Sequence, residues 1–141
     1  VYGKTYRSFW ESDVEDNAFF HLEFDGNILA QCHVSWTNWK NIFSFEIFGK
    51  DGYIKIKGLG GSYGKEILEV GYRQPTGGIP AIEHFEFDDE DTSWSLEWQE
   101  FKQAIEENKE PSGSGKDGYA ANVIIDAIYK SNKLNKPVSI N

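Results

Sequence analysis

Trp36, Thr37, Asn38, Trp39, Lys40 and Asn41 form one unbroken run between two stretches of strand-like alternation. These residue types suit a ligand. An indole offers an apolar face for stacking, while Asn and Lys offer donors that fix hydroxyl groups, a combination fitted to a sugar-like molecule. Trp39, flanked by Asn38 and Lys40, is the centre of that chemistry, and Lys40 and Asn41 complete it. Local packing accounts for Trp39 equally well. Packing is the better account of Trp36, whose parity continues the apolar row of the strand before it.

Other candidates are weaker. The glycine-rich residues 58–64, GLGGSYG, carry Tyr63 where GxGxxG requires glycine, and a strand rather than a helix follows. A pyrophosphate needs the helix N-terminus behind such a turn. Residues 113–118, GSGKDG, resemble half a phosphate loop, but Asp117 replaces the required Ser or Thr, so the segment reads as a helix entry. His21, His33 and His84 fall in strands without ligand spacing and read as histidines on a partly solvated sheet face. Asp88, Asp89, Glu90 and Asp91 lack the alternate spacing of a calcium loop and read as a solvated run before a helix. Cys32 reads as small apolar packing.

The elements that must position the Trp-rich run are legible on both sides of it. Ala18, Phe20, Leu22 and Phe24 alternate with polar or larger neighbours, then Asp25-Gly26-Asn27 supplies turn chemistry, and Ile28, Ala30, Cys32 and Val34 alternate again. A three-residue loop pairs Phe24 with Ile28, Leu22 with Ala30, Phe20 with Cys32 and Ala18 with Val34; a one-residue slip would mix the faces. A second hairpin is predicted over 43–49 and 53–57, with Gly52 at a left-handed turn position. Strands over 66–72 and 82–87 follow, and the opening residues 1–9, VYGKTYRSF, read as a further strand. Aromatic and aliphatic residues on both faces, such as Phe19 beside Phe20 and Phe48 beside Ile47, predict a sheet in contact with another subunit or domain.

Two helices come last. One is predicted over 93–108, with Trp94, Trp98, Phe101 and Ile105 on one stripe, and the other over 119–133. Strands first and helices afterwards define an α+β class: an open, mostly antiparallel sheet of six or more strands with helices packed on one face, forming one domain over 1–141.

Composition narrows the partners. Fourteen basic against 23 acidic side chains give a formal charge of -9, which disfavours nucleic acid and anionic membrane surfaces. One cysteine fits a reducing, cytoplasmic setting. No apolar run approaches the roughly 18 residues of a membrane span, and no basic-then-apolar leader opens the sequence. Methionine is absent and the first residues already read as strand, so the chain is expected to be a piece of a longer protein, with catalytic residues upstream.

VSWTNWKNIFSFEIFGKDGYIKI followed by GLGGSYG, then SWSLEWQEF and DGYAANVIIDAIYKS, resembles the C-terminal domain of the Gfo/Idh/MocA oxidoreductases, a family that includes glucose-fructose oxidoreductase and inositol 2-dehydrogenase. The resemblance implies an N-terminal Rossmann domain that binds NAD or NADP, followed by this α+β domain, which supplies the substrate pocket and assembles dimers or tetramers through its open sheet face. The family's dinucleotide fingerprint, its Glu-Lys-Pro lysine and the Asp/His pair of its catalytic helix have no counterpart here, so no catalytic, cofactor-binding or metal-binding residue is assigned to this chain. By the same resemblance Trp39 and Asn41 occupy substrate-side positions with Lys40 between them. Trp and Asn stand where tyrosines are usual in the inositol type, so a sugar or nucleotide-sugar fits at least as well as inositol. Two other readings stay open: a non-enzymatic carbohydrate-binding module, suited to the 16% aromatic content, and a purely structural dimerisation domain.

Overall fold

Among residues 1–140, which the computed structural model describes, hydrophobic alternation and glycine turns produce seven strands and two helices. In chain order they are β1 (Tyr2–Tyr6), β2 (Asn17–Phe24), β3 (Ile28–Ser35), β4 (Ser44–Phe48), β5 (Gly52–Lys57), β6 (Glu66–Tyr72), β7 (Ala81–Phe87), α1 (Ser93–Glu106) and α2 (Gly115–Leu134). The α+β class holds, with antiparallel pairing throughout. The single sheet expected from the sequence is instead two, ordered β1-β2-β3 and β4-β5-β6-β7. The break falls at the Trp-rich run, where the chain leaves strand geometry between Ser35 and Ser44. Two units result, Val1–Trp39 with the segment from Asn108 onward, and Lys40–Glu107.

In the first unit the β2–β3 hairpin has the register that its alternation demands: Phe24 faces Ile28, Leu22 faces Ala30, Phe20 faces Cys32 and Ala18 faces Val34. Gly26 and Asn27 close the turn with φ of 79° and 60°, the left-handed region that Gly and Asn tolerate best. β1 adds to the free edge of β2, with Gly3 opposite Phe20. That glycine admits α2, because a Cβ at Gly3 would stand only 2.8 Å from Cγ2 of Ile128. Ala127, Ile128 and Ser131 are the buried residues of this helix.

Ser131 joins helix, strand and chain end. Its hydroxyl accepts from the Gly3 N–H at 3.0 Å and donates to the Lys136 carbonyl at 2.8 Å. Beside it the Asn132 amide donates to Thr5 Oγ1 at 3.0 Å. The helix begins four residues earlier than the sequence periodicity suggested, at Gly115 rather than Tyr119. Ser114 caps it, accepting from the N–H groups of Lys116 and Asp117 while the Asp117 carboxylate accepts from the Ser114 N–H. This Ser-x-x-Asp capping box, rather than hydrophobic periodicity, sets the start. Asn135, with φ of 53°, ends the helix in left-handed geometry.

In the second unit alternation separates two faces. Phe45, Ile56, Leu68 and Phe85 line up across the sheet on one of them, and Glu46, Lys55, Glu69 and His84 line up on the other. Lys55 pairs with Glu46 at 2.7 Å, and the Tyr53 hydroxyl donates to Glu69 at 2.6 Å. The expectation that Gly52 occupies a left-handed turn position is not met: it lies in β5, without positive φ. What it permits is close approach, since a Cβ there would run into the Gly71 carbonyl of β6. On α1 the stripe of Trp94, Trp98, Phe101 and Ile105 is exposed, and Ala104 is the buried residue. Periodicity fixed which residues share that helix face but not what covers it.

Ser131→Ala leaves the buried Gly3 N–H without its acceptor, so it is expected to cost about 1–3 kcal/mol of stability. Denaturant unfolding of the wild type and the variant measures this; an unchanged midpoint would show that Ser131 does not tie α2 to β1.

Candidate functional site

β1 and β2 are joined by residues 7–16, and the carboxylate that closes this loop, Asp16, organises it. Its Oδ2 accepts from the N–H of Phe9 at 2.7 Å and of Trp10 at 3.0 Å, and its Oδ1 accepts from the Ser8 N–H at 2.9 Å. Three consecutive amides converging on one anion form a nest. The Asn17 side chain donates a further bond to Oδ1 at 2.9 Å. Asp16 is 4% exposed. Burial pushes its carboxyl pKa upward, but the N–H groups of Phe9, Ser8 and Trp10 and the Asn17 amide outweigh it and hold the group well below the usual carboxylate range.

The same residue ties three strand ends together. Its N–H donates to the Tyr6 carbonyl at the end of β1, and its carbonyl accepts from the Trp36 N–H just beyond β3. Asn17 continues the connection, donating to Thr37 Oγ1 at 3.0 Å and to Ser8 Oγ at 3.2 Å. Thr37 in turn donates its N–H to Ser35 Oγ at 2.9 Å. The loop after β3 is therefore fixed to the loop after β1 through Asp16 and Asn17.

These bonds bring an aromatic cluster together. The Trp39 ring meets Phe9 edge-on at 4.8 Å between centroids and Trp10 at 6.0 Å, and Phe9 meets Trp10 at 5.3 Å. The Trp10 indole N–H reaches the Trp36 carbonyl at 3.5 Å. Trp39 has φ of 55°, an unfavourable backbone state for a bulky residue. Such geometry costs about 1–3 kcal/mol, and two edge-to-face contacts at about 0.5–1.5 kcal/mol each are large enough to offset it. The rings remain wet: Trp39 is 66% exposed, and Phe9 and Trp10 are also exposed.

Trp36 departs from expectation. Its parity placed it in the buried row, yet β3 ends at Ser35 and Trp36 is 78% exposed. Once the ladder stops, strand parity no longer directs its side chain. Of the three sequence-predicted site residues, Trp39 ends the first unit, while Lys40 and Asn41 open the second, both exposed. Phe9, Trp10, Asp16 and Asn17 were not singled out from sequence. The available signal was the polar Asp16-Asn17 pair immediately ahead of an alternating strand, a place where short polar side chains bond back to local backbone.

The other sequence candidates have local partners. His33 stacks on Phe19 with centroids 4.1 Å apart, and His84 lies 3.6 Å from Glu69. Burial pushes the Cys32 thiol pKa up. Lys65 bonds both Glu86 and Asp88, and Asp91 accepts from the Ser93 N–H at 3.0 Å at the start of α1. Neither glycine-rich segment fits a dinucleotide. The Gly60 N–H donates to Glu66 and the loop runs on into β6, whereas the N-terminus of α2 already carries the Asp117 carboxylate.

An α+β domain with an aromatic cluster built on a strand-end network is the class that this geometry defines. A family model described as GFO/IDH/MocA C-terminal domain matches residues 1–55, the stretch that contains the whole cluster and its supports, and this supports a Gfo/Idh/MocA family C-terminal domain. No curated protein and no solved structure matches the chain. No helix among the described residues is long and apolar enough to cross a membrane.

Asp16→Asn puts an amide NH₂ where N–H groups of residues 8–10 now donate, so the variant is expected to lose near-ultraviolet circular dichroism from the tryptophans and several degrees of thermal midpoint. Because the folded pKa is depressed, the carboxylate's contribution to stability is complete at neutral pH. It declines only as the pH falls below about 4, toward the lower folded value. Unchanged spectra and midpoint in the variant would show that the nest does not hold the cluster.

Proposed function

We propose that this chain is the substrate-binding and oligomerisation domain of an NAD(P)-dependent oxidoreductase acting on a hydroxyl of a sugar, polyol or nucleotide-sugar. The observation that carries the proposal is the family-model match over residues 1–55, which spans the aromatic cluster around Trp39. Trp39, Lys40 and Asn41 are the proposed substrate contacts, an apolar ring face followed by donors to hydroxyl oxygens. NAD or NADP belongs to an N-terminal Rossmann domain, and hydride transfer is the chemistry that the dinucleotide supplies there. This domain's part is to hold the reacting carbon in place.

Association into a dimer or tetramer through the β4–β7 sheet is part of the proposal, as is a cytoplasmic setting. Supporting the first is the apolar row of Phe45, Ile56, Leu68 and Phe85, in which Phe45 and Phe85 stay about half exposed. The carbohydrate-binding-module reading is disfavoured by α1 and α2, since such modules are usually all-β sandwiches.

In the full-length enzyme, Trp39→Ala and Asn41→Ala are expected to raise the KM for the sugar about three- to tenfold with the KM for the dinucleotide unchanged. An unchanged sugar KM would favour a purely structural domain. Residues 1–141 alone are expected not to bind NADH in a fluorescence titration; tight binding would overturn this division of labour.

A further inference from the structure

The cleft lined by residues 7–13, about 380 Å³ in volume, opens beside two members of the aromatic cluster, Phe9 and Trp10. Its size is within the usual range for small-molecule sites. The same residues supply hydrogen-bonding chemistry of both signs: Arg7, Glu11 and Asp13 all line it. Arg7 is anchored, donating through Nη1 to the Ser12 carbonyl at 2.7 Å. Phe9, Trp10 and Trp39 are all exposed, and Trp39 adopts left-handed backbone geometry in contact with the other two rings.

We propose that Phe9 and Trp10 join Trp39 in one ring-stacking subsite for an uncharged sugar or polyol ring, and that Asp16 is the positioning residue that holds this subsite together. The inference rests on the reading of the chain as a substrate-binding domain. Edge-to-face packing braces each ring against the others while leaving apolar surface open to the C–H face of a sugar. The hydroxyls of such a ring donate to Glu11 and Asp13 and accept from Arg7. Charge decides against a phosphorylated end in this cleft: two carboxylates and one guanidinium are among its lining residues, and the chain as a whole carries -9. Asp16 touches none of the ligand. It acts through the N–H groups of Ser8, Phe9 and Trp10, fixing the backbone from which both rings project.

The test is steady-state kinetics of the full-length enzyme, with NAD+ and NADP+, on D-glucose, D-galactose and myo-inositol, beside glucose 6-phosphate and UDP-glucose. Trp10→Ala, Asp16→Asn and Trp39→Ala are compared with wild type. The neutral compounds are expected to be turned over in preference. For the best of them, KM is expected to rise about three- to tenfold in all three variants, with kcat within about twofold and the dinucleotide KM unchanged. If Trp39→Ala raises KM but Trp10→Ala does not, the subsite is wrong and the domain's substrate-binding role stands. If Trp10→Ala raises KM while a folded Asp16→Asn does not, the positioning role is wrong. Failure of all three variants to change KM would overturn the substrate-binding reading itself. Preference for the phosphorylated compounds, or turnover of none of the panel, would overturn the assignment of an uncharged ring.

Discussion

A single carboxylate accepting three consecutive backbone N–H groups is the constraint on which the first unit depends. Asp16 is buried, and a buried anion is tolerated only where its oxygens are fully engaged. Here they are, by Ser8, Phe9, Trp10 and Asn17. Because the main chain of Asp16 also bonds Tyr6 and Trp36, the anion sits where the ends of β1, β2 and β3 converge. The loop conformation, the placement of the rings and the exit path of the chain after β3 therefore share one support.

The strain at Trp39 is understandable in that frame. A left-handed tryptophan persists where surrounding contacts over-determine it, and the rings of Phe9 and Trp10 provide those contacts from a loop that Asp16 has already immobilised. Away from this corner the first unit relies on ordinary packing, with α2 lying close over β1 because Gly3 has no side chain and Ser131 takes up its N–H. The second unit shows a different economy: a sheet with one apolar row and one charged row, whose exposed pairs such as Lys55–Glu46 contribute little individually.

How much was legible in the sequence follows from the range of the interactions involved. The β2–β3 register came through residue by residue, because alternation and a short Asp-Gly-Asn turn are local signals. The second hairpin was legible for the same reason, although the role of Gly52 was not, since close approach to Gly71 depends on a strand fourteen positions later. The division into two sheets was hidden because hydrophobic period identifies strands without saying which ones pair across an interruption. Strand parity does not govern Trp36, because the ladder ends one residue before it. The start of α2 could have been read from Ser114 and Asp117. Asp16 could not be told from Asp13 or Glu15 by composition alone, because what distinguishes it is a fold-back onto amides six to eight residues earlier.

The candidate site was thus half visible: the indole of Trp39 was conspicuous, whereas its partners Phe9 and Trp10 lie some thirty residues away in sequence and meet it only through the network at Asp16 and Asn17. The most direct test of this account is a carbon-13 NMR titration of aspartate side-chain carboxyls, with Asp16 assigned by its substitution. The Asp16 resonance is expected to stay unprotonated through the region near pH 4 where ordinary aspartates titrate. An Asp16 carboxyl that titrates with the others at about pH 4 would contradict the nest, and with it the support of the aromatic cluster.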